Sequence, residues 1–331
     1  MRALYVSEQG CYLSLNDQLV RVKRQETLYA EVQLPLLQMI LIFGKSQVTT
    51  QVIRACLWRN IPIVYLSRMG YCYGRILPIE RGYRQLARYQ DDLTLSDRLQ
   101  VAREIVCTKL RNSRTVLMRQ HRRQPSSSLD LVIQSLAVLV EKVRQADNIP
   151  RIMGLEGAGA AQYFSAFGDC LSSDEFIFGD RSRRPPGNPV NALLSFGYQV
   201  LWNHLLALIE VHGLDPYVAC LHEGHRSHAA LASDLLEEFR APFIDAFVMY
   251  LINRKMMDVR DDFVYHNGGC YLNDVGRVKY LKAFVKRMEE TITDEFGESQ
   301  PKWDLLNQQV KAFKQFVYDP VKQPYVAYQI R

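Results

Sequence analysis

The sequence predicts an α+β protein, with a small N-terminal antiparallel β domain followed by a larger all-α domain, and three observations carry that expectation. Residues 3–77 are a succession of short β-branched and aromatic runs separated by turn residues. From about Leu86 onward the spacing of apolar residues changes from every second position to a 3.6-residue period. The chain is 331 residues long, 48% hydrophobic and 23% charged. At about 150 residues per domain that length favours two domains, and the composition excludes a disordered tail, a collagen and a disulfide scaffold. The expected boundaries are 1–80 for the β domain, 81–92 for a linker and 93–331 for the helical part.

The strands are read in order. ALYVSE comes first, CYLSL follows Gln9-Gly10, QLVRVKR follows Asn16-Asp17, and TLYAEV completes the first group. LLQMILIF, IPIVYLS and YCYGRIL come later. The short spacing and the turn residues favour hairpins. One helix interrupts the strands over 49–59, where Val52, Ile53, Cys56 and Leu57 form an apolar stripe and Thr49 or Thr50 can cap the N-terminus. In the second domain Leu129, Val132, Ile133, Leu136 and Val140 give a helical stripe after Ser126-Ser127-Ser128, ending at Asp147-Asn148-Ile149-Pro150. Further helices are expected over 152–168, 190–212, 228–239, 242–258, 274–292 and 302–316.

Charge and cysteine usage bound the partners and the compartment. The net charge is only +6, but residues 81–123 hold eleven Lys/Arg against four Asp/Glu, so the rest of the chain nets −1. A concentrated basic stretch is the footprint of a polyanion partner. The seven cysteines are scattered without a CxxC pair, which suits reduced thiols in a cytoplasmic protein. The start, MRALYVSEQG, lacks an apolar h-region, so no signal peptide is expected. Residues 185–209 carry no formal charge, yet Asn191, Ser195, Gln199 and Asn203 recur every four residues. A lipid-spanning helix would be more uniformly apolar, so this segment reads as a helix buried in protein, its polar stripe facing something wet or functional.

Three constellations could carry chemistry. Residues 154–164 contain glycines at GxxGxG spacing with no preceding strand, which does not fit a dinucleotide fingerprint. Small residues there can let two helices approach while Tyr163 and Phe164 pack inward. Glu156 within this run is either a solvated acid at a helix start, where the dipole favours it, or a site residue. The second constellation contains His222, His225, His228, Asp234 and Glu237. A zinc-protease HExxH is excluded because position 226 is Arg226. Asp234 and Glu237 are three apart and share a helical face, and His222 can return to it through the intervening loop. With Glu156 they make an oxygen-rich set with one imidazole, a mix that suits Mg²⁺ or Mn²⁺; the ordinary alternative is surface charge. The third is basic: Arg81, Arg84 and Arg88 near the junction, then Lys109, Arg111, Arg114, Arg119, Arg122 and Arg123 on one long helix. Arg181, Arg183 and Arg184 beside Pro185-Pro186 form a smaller basic loop. Such faces track phosphates or are merely solvated.

These residues together resemble a known family, the CRISPR-associated adaptation integrase/endonuclease family Cas1. The resemblance is carried by separated blocks in a fixed order. The first is Gly154-x-Glu156-Gly157-x-x-Ala160-x-x-Tyr163-Phe164, and the second is Arg184-Pro185-Pro186 with Pro189-x-Asn191-Ala192-Leu193-Leu194-Ser195-Phe196-Gly197-Tyr198. The third combines Gly213-Leu214-Asp215-Pro216-Tyr217, Leu221-His222, Leu231 and the run from Asp234 through Glu237 to Arg240. Gly269-x-Tyr271-Leu272 with Gly276-Arg277 is the last.

Carried over by position, the resemblance implies Glu156, His222 and Glu237 as ligands of Mg²⁺ or Mn²⁺, with Asp234 a supporting catalytic acid. It implies a metal-dependent DNA endonuclease and integrase of antiviral defence that inserts spacers into a CRISPR array by 3′-hydroxyl transesterification. Double-stranded DNA would be the substrate, with Arg111, Arg114, Arg119, Arg122, Arg123, Arg183 and Arg184 as candidate contacts. The β domain would join a homodimer, and two dimers would bridge on the small Cas2 protein in a heterohexamer. Direct transesterification needs no ATP, which agrees with the lack of a GxxxxGK[ST] motif. Two rival readings are a non-catalytic nucleic-acid scaffold with structural acids and a metallohydrolase of small substrates.

Overall fold

The computed structural model describes residues 3–68, 70–79, 83–224, 228–293 and 299–330. Strands β1 (Ala3–Val6), β2 (Tyr12–Asn16), β3 (Leu19–Arg24), β4 (Thr27–Gln33), β5 (Met39–Phe43) and β6 (Gln47–Val48) precede helix α1 (Thr50–Trp58). Strands β7 (Ile63–Leu66) and β8 (Cys72–Ile76) follow it. They form two four-stranded sheets, β4-β3-β2-β6 and β1-β5-β7-β8.

The expected hairpins are present in β2–β3, β3–β4 and β7–β8, all antiparallel. The expectation of a wholly antiparallel domain needs correction, because β1, β5 and β7 are mutually parallel and β6 runs parallel to β2. The chain crosses over between parallel neighbours, through β2–β4 after β1 and through α1 after β5, as parallel pairing requires. The sequence of β5, MILIF, is apolar at every position because both faces of this strand are buried. Leu4, Val6, Ile40, Ile42 and Ile63 pack toward the other sheet and α1. On the opposite face, Ala3, Met39, Leu41, Phe43, Val64 and Leu66 join the core of the helical part. Thr49 is the cap of α1, accepting from the Val52 amide at 3.4 Å.

Helix α2 (Tyr83–Asp91) occupies the stretch expected as a linker and is anchored, not loose. Gln90 is fully buried, donates to the Asp215 and Val218 carbonyls and accepts from the Asp215 amide. The next helices are α3 (Leu95–Arg123), α4 (Ser127–Arg144), α5 (Ile149–Ser165), α6 (Pro189–Val211), α7 (Ala230–Phe239) and α8 (Ala246–Asn253). A π-helical turn, Arg240–Asp245, joins α7 to α8. Hairpin β9 (Phe263–His266) and β10 (Gly269–Leu272) turns on Asn267 and Gly268, both at positive φ. Asn-Gly is the strongest short hairpin signal. Helix α9 (Asp274–Glu289), the pair β11 (Thr291–Thr293) and β12 (Ser299–Pro301), and α10 (Lys302–Tyr318) complete the chain. The second part is therefore predominantly helical with two small strand pairs, not all-α.

Helices α5 and α6 differ from their sequence-based expectations for physical reasons. Asn148 accepts from the Arg151 amide at 2.9 Å and starts α5 ahead of the expected position, so the Ala/Gly-rich run lies inside the helix and not in a turn. A Cβ on Gly159 would fall 2.3 Å from Leu110 Cδ2, so a small residue does let α5 approach α3 closely. The charge-free segment is α6, with 83% of its most apolar window buried inside the protein. Its polar stripe meets protein groups: Arg181 donates to Asn191 at 2.8 Å and to Ser195 at 3.0 Å, and Asn203 donates to the Gly70 carbonyl at 2.8 Å.

Candidate active site

Three helices deliver the candidate residues to one place. The close α3–α5 contact at Gly159 sets Glu156, one turn earlier on α5, against Lys109 of α3. Helix α7 packs on the same stretch of α3 and supplies Glu237. The Lys109 ammonium donates to Glu156 Oε1 and lies 2.6 Å from Glu237 Oε2, so one nitrogen bridges carboxylates from two helices. Arg240 Nε lies 3.0 Å from the same Glu237 oxygen. Neither approach to Glu237 Oε2 has hydrogen-bond geometry, so this buried oxygen is ion-paired without a hydrogen bond. Burial pushes the Glu237 carboxyl up, but Arg240, Lys109 and His222 outweigh it and hold the group below the usual carboxylate range.

Asp234 organises the adjoining loop. Its Oδ2 accepts from the amides of Cys220 and Leu221 at 2.8 Å each, and its Oδ1 accepts from the His222 amide at 3.0 Å and faces His222 Nδ1 at 2.8 Å. A carboxylate can only accept, so Nδ1 carries a proton, and in its neutral form the ring offers the Nε2 lone pair to a ligand. Such a carboxylate–histidine pair is the ordinary support of a metal-binding imidazole. Burial works against the charged ring, yet the hydrogen bond and charge of Asp234, with Glu237, hold its pKa above the ordinary value.

The support behind the carboxylates is aromatic and polar. Arg240 stacks 4.6 Å from the Tyr198 ring, and the Tyr198 hydroxyl donates to Asp245, whose carboxyl burial raises to about 6. Asn112, one turn beyond Lys109, donates to the Glu238 carbonyl at 2.8 Å and ties α3 to α7. The C-terminal tail clasps the same pair: Tyr325 donates to Glu238 Oε1 at 2.6 Å, Tyr328 donates its amide to Oε2, and Asn112 accepts from the Ile330 amide at 3.0 Å.

Of the candidate arginines, Arg183 lies beside the site, lining a narrow cleft with Lys109, Ser113, Tyr163, Tyr198 and Arg240. Arg183 and Arg184 also line a neighbouring cavity of about 530 Å³ with Arg68, Tyr71, Tyr271 and Arg277. The α3 arginines lie elsewhere. At 100° per residue Arg111 is some 200° round the helix from Lys109, where it lines a separate cavity with Arg103 and Arg144. Arg114 donates to the Ile133 carbonyl at 3.1 Å, Arg119 lies within electrostatic reach of Tyr328, and Arg122 and Arg123 are exposed at the helix end. His228 lies 3.0 Å from Ser233 Oγ and stacks on Trp202. Arg81 and His225 fall outside the described residues, as does the side chain of Arg84.

The sequence groups Lys109 with the basic α3 face that could track phosphates or be merely solvated, and does not single it out as a partner of the acids. Its signal was position: Lys109 and Asn112 interrupt the buried apolar face made by Val101, Ile105 and Val116. The chemistry of Glu156, Glu237 and His222 Nε2 fits a hard divalent cation, and a protein cation already held between the two carboxylates shows that they converge. Among the described residues no three His, Cys, Asp or Glu side chains are gathered tightly enough to hold an ion as they stand. Lys109 occupies the position between the acids.

Comparison with known proteins places the chain in a family. The chain is 32% identical over 302 residues to a CRISPR-associated exonuclease Cas4/endonuclease Cas1 fusion of Geobacter sulfurreducens, covering 88% of this chain and 53% of the relative. The chain thus spans about half the length of that relative. It is 30% identical over 332 residues to a CRISPR-associated endonuclease Cas1 of Chlorobaculum tepidum, covering 96% and 95% of the two chains. The solved structure of a CAS1 protein from Thermotoga maritima shares the fold with a TM-score of 0.79 at 24% identity, covering 96% of this chain and 97% of that one. The model of the CRISPR associated protein Cas1 family matches residues 4–286, across both the sheets and the helices that carry the paired acids, and the chain belongs to that family.

Proposed function

We propose that this protein is a divalent-metal-dependent DNA endonuclease and integrase of CRISPR adaptation. The observation that carries the reading is the convergence of Glu156 and Glu237 from separate helices onto one cation, beside a histidine held by Asp234. Glu156, Glu237 and His222 Nε2 would hold Mg²⁺ or Mn²⁺. When bound, that ion supplies Lewis acidity at the scissile phosphate and makes a hydroxyl a better nucleophile. Asp234 keeps the proton on His222 Nδ1, so the opposite nitrogen remains a ligand. Arg240 holds Glu237 ionised. Arg183, which lines the cleft beside Lys109 and Arg240, would hold a phosphate near the carboxylates without reading a base. Attack by the 3′-hydroxyl of a captured duplex forms one phosphodiester as the repeat strand loses another, so the exchange requires no nucleotide triphosphate.

By family, the substrate is double-stranded DNA, the β domains join a homodimer, and two dimers bridge on Cas2. The test is transfer of a short duplex with free 3′-hydroxyls into repeat-containing DNA, with and without Mg²⁺ or Mn²⁺. Wild type is expected to join strands only with the ion, and Glu237→Ala to bind DNA without joining. Full joining by Glu156→Ala, His222→Ala and Glu237→Ala would overturn the assignment, and joining in EDTA would remove the metal requirement.

A further inference from the structure

We propose that Lys109 is a displaceable internal cation that makes loading of the divalent ion depend on the arrival of DNA; this rests on the metal reading above. The Lys109 ammonium contacts both Glu156 and Glu237, and its side chain is only 11% exposed. It comes from α3, whereas the proposed ligands come from α5, α7 and the loop before α7. Its four-carbon stem can therefore withdraw without moving any ligand. The exit lies along Glu156, the more exposed of the two carboxylates at 22% against 3% for Glu237.

The site holds two carboxylates, Glu156 and Glu237, and two protein cations, Lys109 and Arg240. Asp234 is matched by His222 and three backbone amides. The pair of acids is thus balanced by these two cations without an ion, and a dication entering while Lys109 stays adds excess positive charge in a poorly solvated place. The phosphodiester of a bound DNA strand supplies the missing negative charge. By linkage, DNA then tightens the ion and the ion tightens DNA by the same factor. Lys109 is the cation that sets this coupling, because Arg240 is stacked on Tyr198 and cannot leave.

The test is Mn²⁺ affinity, measured by electron paramagnetic resonance of free Mn²⁺, with and without a DNA duplex ending in 3′-deoxy residues that cannot join. Wild type is expected to bind Mn²⁺ at least tenfold tighter with DNA. Lys109→Met is expected to bind at least tenfold tighter than wild type without DNA and to gain much less when DNA is added; Lys109→Arg, which keeps the charge, should follow wild type. Lys109→Gln reads the same comparison if the methionine variant does not fold. A variant affinity within twofold of wild type, or wild-type affinity indifferent to DNA, overturns the coupling while leaving the metal site intact. Mn²⁺ binding undiminished in Glu156→Ala and Glu237→Ala places the ion elsewhere and removes both readings.

Discussion

Asp234 is fully buried, and each of its oxygens faces two donors from the 220–222 loop. Asparagine has the same shape, but its amide group must turn against at least one of those N–H groups and leave a buried donor unpaired. Asp234→Asn is therefore expected to lose about 1–3 kcal/mol in chemical denaturation and to lower strand transfer by roughly 10–100-fold through a loosened His222; unchanged stability would show that the loop does not depend on it. A second residue governs acid stability. His204 is buried beneath Trp303, and burial lowers its imidazole to about 3 from an ordinary 6.5. The unfolded chain takes up that proton first, so the contribution is complete above pH 6.5 and declines as pH falls, reaching a loss of about 2 kcal/mol by pH 5. His204→Leu is expected to flatten that part of the stability–pH curve, and an unaltered curve would rule the residue out. The Asp234–Glu237 pair was legible as an i, i+3 face. Lys109 and His204 were not, because residue type alone does not say whether a charged or titratable group is inside.

The element that decides the site is the contact of α3 with α5. Gly159 is where it closes, and a branched side chain there meets Leu110 and Leu139. Gly159→Val is expected to cost about 1–3 kcal/mol by overpacking and to move Glu156 off Lys109. Its signature is a lowered midpoint in denaturant together with weakened Mn²⁺ binding, whereas a loss of stability with wild-type ion affinity would show that the helix spacing does not set the carboxylate pair. Helical periods were readable from the apolar stripes, and the small residues of α5 announced a close approach. The start of α5 was not readable by period, since Asn148 and Pro150 set it by capping. The parallel sheet was equally hidden: local turn residues report hairpins, but the pairing of β1 with β5 joins segments more than thirty residues apart, and only the unbroken apolar run of β5 hints that it is covered on both faces.

At the scale of the whole molecule the two parts share a core, since one face of the β1-β5-β7-β8 sheet packs into the helices. The net charge is also distributed differently in space than along the chain. The basic stretch 81–123 looks continuous in sequence, yet α3 turns its arginines to several faces, and Arg114 is engaged by a carbonyl of α4. Beyond Lys109 and Arg240, which contact the acids directly, further cations come from the 181–184 loop, whose Arg181 is held by Asn191 and Ser195 on α6, with Arg183 lining the cleft beside Lys109 and Arg240, and Arg184 the adjoining cavity. Removing two phosphate-binding cations from such a surface should reduce the slope of log affinity against log salt by about 2 for duplex DNA. Arg183→Ala with Arg184→Ala is therefore expected to flatten the slope by that amount and to slow joining. Arg111→Ala, on the far side of α3, should leave joining at saturating DNA close to wild type. The reverse result, joining abolished by the Arg111 substitution and kept without Arg183 and Arg184, would mean that DNA lies along α3 and reaches the acids from its opposite face.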